Sequence, residues 1–179
     1  MRPPEAIDTA RLLLRKPSQA DAQALFAGHV ADPVVTKYLS WKTHTDIEMT
    51  RSYLRRCINS WQEEEAAAFP WVIVLKSEDR LIGTLEMRVL LFRADLGYAL
   101  SRPYWGKGYA TEAAQAVVDW AMAQPELYRV WAVCDVDNHA SARVLEKAGM
   151  QCEGILRRFI VHPNISSEPR DCYCYSIVK

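Results

Sequence analysis

The sequence predicts an α/β fold in which a mixed, mostly antiparallel sheet is flanked by helices. Two amphipathic helical patterns occupy the N-terminal third, over residues 22–30 and 46–65. β-rich runs divided by short polar turns follow between residues 71 and 101, which is typical of an antiparallel meander. Strand and helix patterns then alternate toward the C-terminus, and together these observations favour an α/β layer arrangement.

The first elements are a short strand and two helices. Residues 11–16 read as the strand, and Ser18 with Asp21 forms a capping signal before the first helix. The apolar side of the second helix is formed by Ile47, Tyr53, Leu54, Ile58 and Trp61. Pro70 ends this helical region, and the character of the chain changes there.

Three strands form the predicted meander, over residues 71–76, 80–91 and 94–101. A glycine-rich loop follows, and the next helix covers residues 110–124 until Pro125 stops it.

The C-terminal third continues with a largely apolar strand over residues 128–136, of the kind buried on both faces. Residues 138–150 form a short helix with Asn138 near its start and Gly149 as its C-cap. Two further strands, at residues 155–161 and 171–178, complete the predicted sheet.

Length and charge limit the possible functions. The 179 residues suit a single domain over residues 1–179, and Lys plus Arg number 22, as do Asp plus Glu. A neutral balance does not favour nucleic acid or an anionic membrane as partner, so we expect a small molecule or a peptide. No signal sequence or run of about 20 apolar residues is found, which favours a cytoplasmic protein.

The five cysteines are an odd number at scattered spacing, without paired C-x-x-C motifs. The five are Cys57, Cys134, Cys152, Cys172 and Cys174, and we expect neither a disulfide framework nor a metal site among them. Cys172 and Cys174 share one face of the last predicted strand and are interpreted as buried thiols.

The loop "WGKGYA", residues 105–110, lies between a strand and a helix, where anions often bind. A Walker loop is excluded because Ser101 stands where its first glycine is needed. A dinucleotide loop is disfavoured because Thr111 stands where its third glycine is needed. Backbone N–H groups at the helix start could still converge on a phosphate, with Lys107 nearby; the alternative is a turn that merely begins a helix.

A second polar pair starts the next helix, directly after the buried strand. Asn138 and Ser141 are three residues apart and share a helical face. If parallel strands carry both helices, this pair and the glycine loop open at the same end of the sheet, where ligands bind. Taken singly, both residues could simply cap the helix.

Together these segments resemble the GNAT family of N-acetyltransferases, and within it the RimJ/RimL type that acetylates ribosomal-protein N-termini. The similarity covers "TARLLLRKPSQADAQALF", "LIGTLEM", "LGYALSRPYWGKGYATEA", "DVDNHASARVLEKAGMQCEGILRR" and "RDCYCYSI". The family loop reads Gln/Arg-Gly-x-Gly-x-Gly/Ala, and Trp105 at its first position is usual for the Rim-like branch.

The resemblance implies a GNAT fold and acetyl-CoA as the co-substrate, with no metal. Backbone amides from Trp105 to Ala110 would bind the pyrophosphate, while the strand around Leu100 and the side chain of Asn138 would contact the pantetheine arm. The residues assigned to the cofactor are Leu100, Trp105, Gly106, Lys107, Gly108, Tyr109, Ala110, Thr111, Asn138 and Ser141.

Acetyl transfer to an amine requires a neutral amine, stabilisation of the oxyanion, and a hydrogen bond or proton for the departing thiolate. Many family members use a tyrosine for the thiolate at the position that is Leu145 here. Ser141, one turn earlier on the same face, is the candidate that the Rim branch suggests. Glu86 is the candidate base, although strand alternation could place it on a solvated face; Asp95 and Glu112 are weaker rivals.

The predicted reaction is acetylation of a primary amine, with a protein or peptide N-terminal α-amine as the favoured acceptor. Polyamines, amino acids and antibiotic amines are alternatives within the same class, and a non-catalytic acyl-CoA sensor is the alternative outside it. The acceptor cleft is expected between the N-terminal helices and the final hairpin. A homodimer is left open.

Overall fold

The computed structural model describes residues 1–179, and its eight strands form one sheet of order β1-β2-β3-β4-β5-β6-β8-β7. The strands are β1 (Ala6–Asp8), β2 (Leu12–Arg15), β3 (Ala68–Leu75), β4 (Arg80–Leu90), β5 (Arg93–Leu100), β6 (Arg129–Asp135), β7 (Gln151–Val161) and β8 (Pro169–Val178). The helices are α1 (Ala22–Leu25), α2 (Pro33–Thr36), α3 (Ile47–Ser60), α4 (Tyr109–Ala123) and α5 (His139–Lys147). Only β5 and β6 pair in parallel, so the mixed, mostly antiparallel sheet is confirmed.

The N-terminal region is more divided than the sequence suggests. The predicted first helix is a composite of a 3-10 turn at Gln19–Asp21, helix α1 and a π-helical turn at Phe26–Val30. The capping signal is confirmed, since the Ser18 N–H donates to the Asp21 carboxylate at 2.7 Å. Strand β1 and helix α2 were not predicted, because three and four residues are too few for a periodic pattern.

Pro70 lies inside β3 rather than ahead of it, and α3 ends at Ser60, before the predicted residue 65. Strand β2 pairs with β3 only from Val72 onward, so at Pro70 that side of β3 has no neighbouring strand. A missing N–H therefore costs no ladder bond there. The Pro70 carbonyl instead accepts a hydrogen bond from the Trp61 indole at 2.7 Å.

Helices cover both faces of the sheet. On the face that we call the α4 face, Leu85 and Met87 pack in a core that includes Ala113 and Val117 of α4. On the opposite face, the α3 face, Val72 packs against α1 and α3. Alternation places neighbouring strand residues on opposite faces, so each strand contributes to both layers.

The parallel pairing of β5 with β6 is short. It joins Arg93–Asp95 to residues 129–131 and then stops, although both strands continue. Residues 96–100 and 132–135 consequently diverge and leave a gap in the middle of the sheet.

All five cysteines are free thiols. Cys172 and Cys174 are buried, as predicted; Cys57 and Cys134 are buried too, whereas Cys152 is exposed on β7. No helix has the length and apolar character needed to cross a bilayer.

Candidate active site

The gap between β5 and β6 exposes strand backbone that has no ladder partner. The Ser101 N–H donates to Ile82 O at 2.8 Å, so the backbone of Ser101 faces β4. Because backbone groups alternate sides along a strand, those of Leu100 and Tyr98 face the gap. An extended ligand chain could therefore pair with this edge of β5.

Leu100 meets this expectation only in part. Its carbonyl already accepts a hydrogen bond from the Trp105 indole, with 2.7 Å between the nitrogen and the oxygen. In this conformation the Leu100 N–H faces the gap, and one of the two lone pairs of its carbonyl oxygen is already used by Trp105.

The glycine loop leads directly into α4. Gly106 and Gly108 have φ angles of 73° and 82°, a left-handed conformation that favours glycine. The N–H groups of residues 106–111 have no hydrogen-bond acceptor within the chain. The Trp105 N–H differs, because it donates to Arg102 O at 3.0 Å, so the array of free donors begins at Gly106.

An ion pair connects this loop to the N-terminal strands. The Glu112 carboxylate in the first turns of α4 accepts hydrogen bonds from Thr9 Oγ1 at 2.7 Å, Arg11 N at 2.8 Å and Arg11 Nε at 2.6 Å. A guanidinium nitrogen of Arg11 also donates to the Lys107 carbonyl at 3.0 Å. Burial would raise the pKa of Glu112, but these hydrogen bonds outweigh it and lower the pKa, so Glu112 is not a suitable base.

Ser141 and Asn138 lie at the start of α5, beside the gap. The Asn138 side-chain oxygen accepts from the Ser141 N–H at 3.3 Å, so Asn138 caps the helix and its amide nitrogen remains a free donor. The Ser141 hydroxyl lies 2.9 Å from the hydroxyl of Tyr98 on β5. Leu145, one turn further along, is buried in the core and contributes no polar group.

A buried thiol lies close to the same serine. Burial, together with nearby acidic and thiol groups, raises the pKa of Cys134 to about 12, and the Ser141 hydroxyl acts in the opposite direction. The thiol is therefore protonated at neutral pH and is a poor nucleophile.

Glu86 lies on the α3 face of β4, directly opposite Gly97 of β5. Burial raises the pKa of its carboxyl group; Arg88 opposes this effect and Asp95 adds to it. Gly97 is exposed, and a Cβ atom built there would meet nothing within 4 Å, so the space above Gly97, next to Glu86, is open. Asp95 is less suited as a base, because it accepts a hydrogen bond from Arg88 at 2.9 Å.

The family model described as "Acetyltransferase (GNAT) domain" matches residues 11–151. The chain belongs to the GNAT family. It is an acetyl-CoA-dependent N-acetyltransferase of that family, as the resemblance implied.

The uncharacterized N-acetyltransferase p20 of Bacillus licheniformis is 33% identical over 178 residues, which cover 98% of this chain and 97% of that protein. An acetyltransferase of the GNAT family from Bacillus anthracis has a TM-score of 0.83 at 31% identity, with 97% of this chain and 98% of that chain covered.

RimL, a ribosomal L7/L12 α-N-protein acetyltransferase solved with coenzyme A, has a TM-score of 0.84 at 22% identity, with coverage of 97% and 98%. At this identity the likeness shows the fold. Spermidine N(1)-acetyltransferase of Escherichia coli is 27% identical over 93 residues, which are 51% of this chain and 50% of that protein.

In this GNAT chain the two segments expected to flank the acceptor cleft contact each other directly. The Asn164 side chain, in the loop between β7 and β8, donates to Thr36 O at 2.7 Å and Trp41 O at 2.8 Å, and accepts from Thr43 N at 3.0 Å. These bonds fix the segment after α2 against the final hairpin.

A buried ion pair supports the end of β6 just before Asn138. Asp135 is fully buried and accepts from Arg170 Nε at 2.6 Å. Burial would raise the pKa of Asp135, but this bond and one from the Asp137 N–H lower it. Arg170 also binds Asp137, so the entry to α5 is fixed by charge on both sides.

Sequence reasoning missed the residues that act across long separations. Arg11 contacts Glu112 over 101 positions, and Tyr98 contacts Ser141 over 43. No local pattern links such pairs. The one available signal for Tyr98 was its place in the strand directly before the glycine loop.

Proposed function

We propose that this enzyme transfers the acetyl group of acetyl-CoA to a protein or peptide N-terminal α-amine. The observation that carries the proposal is the gap between β5 and β6, whose unpaired backbone lies between a loop of free N–H donors and the hydroxyl of Ser141. Acetyl-CoA, in which a long polar arm joins a thioester to a pyrophosphate, fits this spatial order of donors and acceptors.

The cofactor would bind from the glycine loop inward. The pyrophosphate would accept hydrogen bonds from the N–H groups of residues 106–111, with the dipole of α4 behind them. The pantetheine arm would pair with the free backbone of β5 at Tyr98 and Leu100, and the side-chain amide of Asn138 would donate to the same arm. The Leu100 carbonyl, already bound by the Trp105 indole, has a second lone pair that could accept from the arm.

Ser141 would stabilise the departing thiolate. When the tetrahedral intermediate collapses, the carbon–sulfur bond breaks and the sulfur keeps the electron pair. A hydroxyl at the N-terminal end of a helix can donate to that sulfur, and the positive end of the helix dipole stabilises the negative charge. Leu145 offers no competing donor.

Glu86 would accept a proton from the acceptor, directly or through water, either from the ammonium before the attack or from the amine nitrogen as it bonds to the carbonyl carbon. Its raised pKa suits a base, and the open space above Gly97 lets an acceptor approach from the α3 face. Asn164 closes the junction between the two flanking segments, so the acceptor would enter beside this junction.

The acceptor class follows from how readily the amine is deprotonated. An α-amine with a pKa near 8 is roughly 10 to 20% neutral at pH 7, whereas a lysine amine is neutral about once in 2,500 molecules. A half-buried carboxylate such as Glu86 is a modest base, and it suits the α-amine better. The similarity to a spermidine acetyltransferase over half the chain supports polyamines as the second candidate.

The experiment is thiol release from acetyl-CoA across a panel of peptides with free N-termini, N-terminally blocked peptides with lysine, polyamines and aminoglycosides. We expect kcat/KM to be highest for the free N-termini. A higher kcat/KM for spermidine would indicate that the acceptor is a polyamine and not an N-terminal amine. Tight acetyl-CoA binding without turnover of any amine would favour a sensor.

Two variants test the residue roles. Ser141→Ala should lower kcat about tenfold to a hundredfold and leave the Kd of acetyl-CoA within twofold, because the hydroxyl acts on charge that develops during the reaction. Gly108→Val should instead prevent acetyl-CoA binding, since φ of 82° is strained for a branched residue. Unchanged turnover in the first variant or unchanged binding in the second would reject the respective role.

A further inference from the structure

We propose that Tyr98 is a positioning residue for the thiolate-stabilising hydroxyl of Ser141. This inference rests on the proposed function and adds a residue that sequence reasoning did not assign. Tyr98 makes the only side-chain hydrogen bonds between β5 and α5, with its hydroxyl 2.9 Å from Ser141 Oγ and 3.2 Å from Ser141 O.

The role of Tyr98 follows from the number of protons on the two hydroxyl groups. A serine hydroxyl has one proton to donate, and so does the tyrosine hydroxyl. If Ser141 donates to Tyr98, no proton of the serine is left for sulfur. If Tyr98 donates to Ser141 Oγ, the serine proton is free, and a thiolate next to it selects this second arrangement.

The surroundings of Tyr98 keep it a donor. Burial raises the pKa of the phenol, and the hydrogen bond with Ser141 only partly opposes this, so the hydroxyl stays protonated at neutral pH. The Ser141 carbonyl is the helical acceptor for the N–H four residues later, which makes Oγ the better acceptor for Tyr98.

The Cys134 thiol lies near both hydroxyls, and burial raises its pKa, so it stays protonated and takes no proton from either of them. No proton leaves Tyr98 in this scheme; its bond fixes the direction in which Ser141 donates.

The test is Tyr98→Phe, which keeps the ring and removes the hydroxyl. We expect kcat to fall about fivefold to twentyfold, with the KM for acetyl-CoA within twofold. In the Ser141→Ala background the same substitution should have no further effect, because Tyr98 acts through Ser141.

Tyr175→Phe is the matched control. Tyr175 lies on β8, and its hydroxyl donates to Glu146 of the same helix α5 at 3.0 Å, without contacting Ser141. If Tyr98 only fastened α5 to the sheet, both variants would reduce kcat alike. Equal losses, or losses that add to that of Ser141→Ala, would overturn the proposal.

A binding measurement separates this inference from the proposed acceptor. The thiol pKa of bound coenzyme A, followed by thiolate absorbance against bound S-methyl-coenzyme A, should lie below that of free coenzyme A. Tyr98→Phe should raise it, with or without turnover of any amine. An unchanged thiol pKa in this variant would reject the role of Tyr98, whereas a failed amine panel would reject only the proposed acceptor.

Discussion

Replacing Arg11 with leucine should weaken binding of acetyl-CoA through the glycine loop, at a distance from the reacting atoms. The guanidinium joins Glu112 of α4 to the Lys107 carbonyl, and it stacks 4.5 Å from the centroid of the Tyr109 ring. It therefore fixes the loop in the conformation that presents six free N–H groups. Without it, binding must also order the loop.

The magnitude follows from the exposure of the pair. A hydrogen bond to a charged group contributes about 1.5–3 kcal/mol, whereas an exposed ion pair contributes about 0–1 kcal/mol. The Arg11 side chain is 46% exposed and that of Glu112 is 17% exposed, so we take the lower end, about 1.5 kcal/mol. This corresponds to an increase of about tenfold in the Kd of acetyl-CoA.

Isothermal titration with two ligands checks the reasoning. The Kd of acetyl-CoA should rise about tenfold in Arg11→Leu, and the Kd of acetyl-pantetheine, which lacks the pyrophosphate, should stay unchanged. Arg51→Leu is the control, because Arg51 pairs with Glu48 on the exposed side of α3, away from the loop. An equal loss for both ligands would refute the loop mechanism.

Three further predictions concern other parts of the molecule. Burial, with a contribution from His44, lowers the pKa of His29 from 6.5 to about 4. Between these values only the unfolded chain binds a proton at His29, so the free energy of unfolding is highest above pH 6.5 and falls toward pH 4. Urea unfolding should show that the free energy of unfolding falls by about 3 kcal/mol over this pH range in the wild-type protein and that His29→Leu abolishes this fall. Parallel pH profiles of the variant and the wild-type protein would contradict this. Gly97→Ala should raise the unfolding free energy by about 0.4–1 kcal/mol yet lower kcat/KM for the acceptor, with acetyl-CoA binding as the control. Asn164→Ala should raise the acceptor KM and lower Tm, since its side chain joins the segment after α2 to the final hairpin; an unaltered KM would show that this junction does not shape the cleft.

The sequence predicted the long elements because their patterns repeat. Helices α3 and α4 and the strands of the meander each contain enough residues for a clear period, and all are present. Strand β1 has three residues and pairs with the next strand, and helix α2 has four residues capped by Asp32, so neither is long enough to show a period. The π-helical turn after Leu25 is likewise invisible to a pattern built on 3.6 residues per turn.

The candidate site likewise contains residues that the sequence can predict and features that depend on the folded structure. Glycines at positive φ and a capping asparagine are local requirements, so Gly106, Gly108 and Asn138 could be predicted from the sequence. The Trp105 indole on Leu100 depends on a rotamer, and no sequence pattern specifies one. The sequence also does not show which N–H groups of the loop remain free, because this depends on the folded conformation.

Under the proposed function, the alternation of β5 assigns adjacent residues to different substrates. Gly97 points toward the side from which an amine would arrive, whereas Tyr98 points toward α5 and the thioester chemistry. A substitution at one position can therefore reshape acceptor selectivity while its immediate neighbour preserves the acyl-donor machinery. Such a strand allows new acceptors to evolve by single codon changes, without rebuilding the reaction centre.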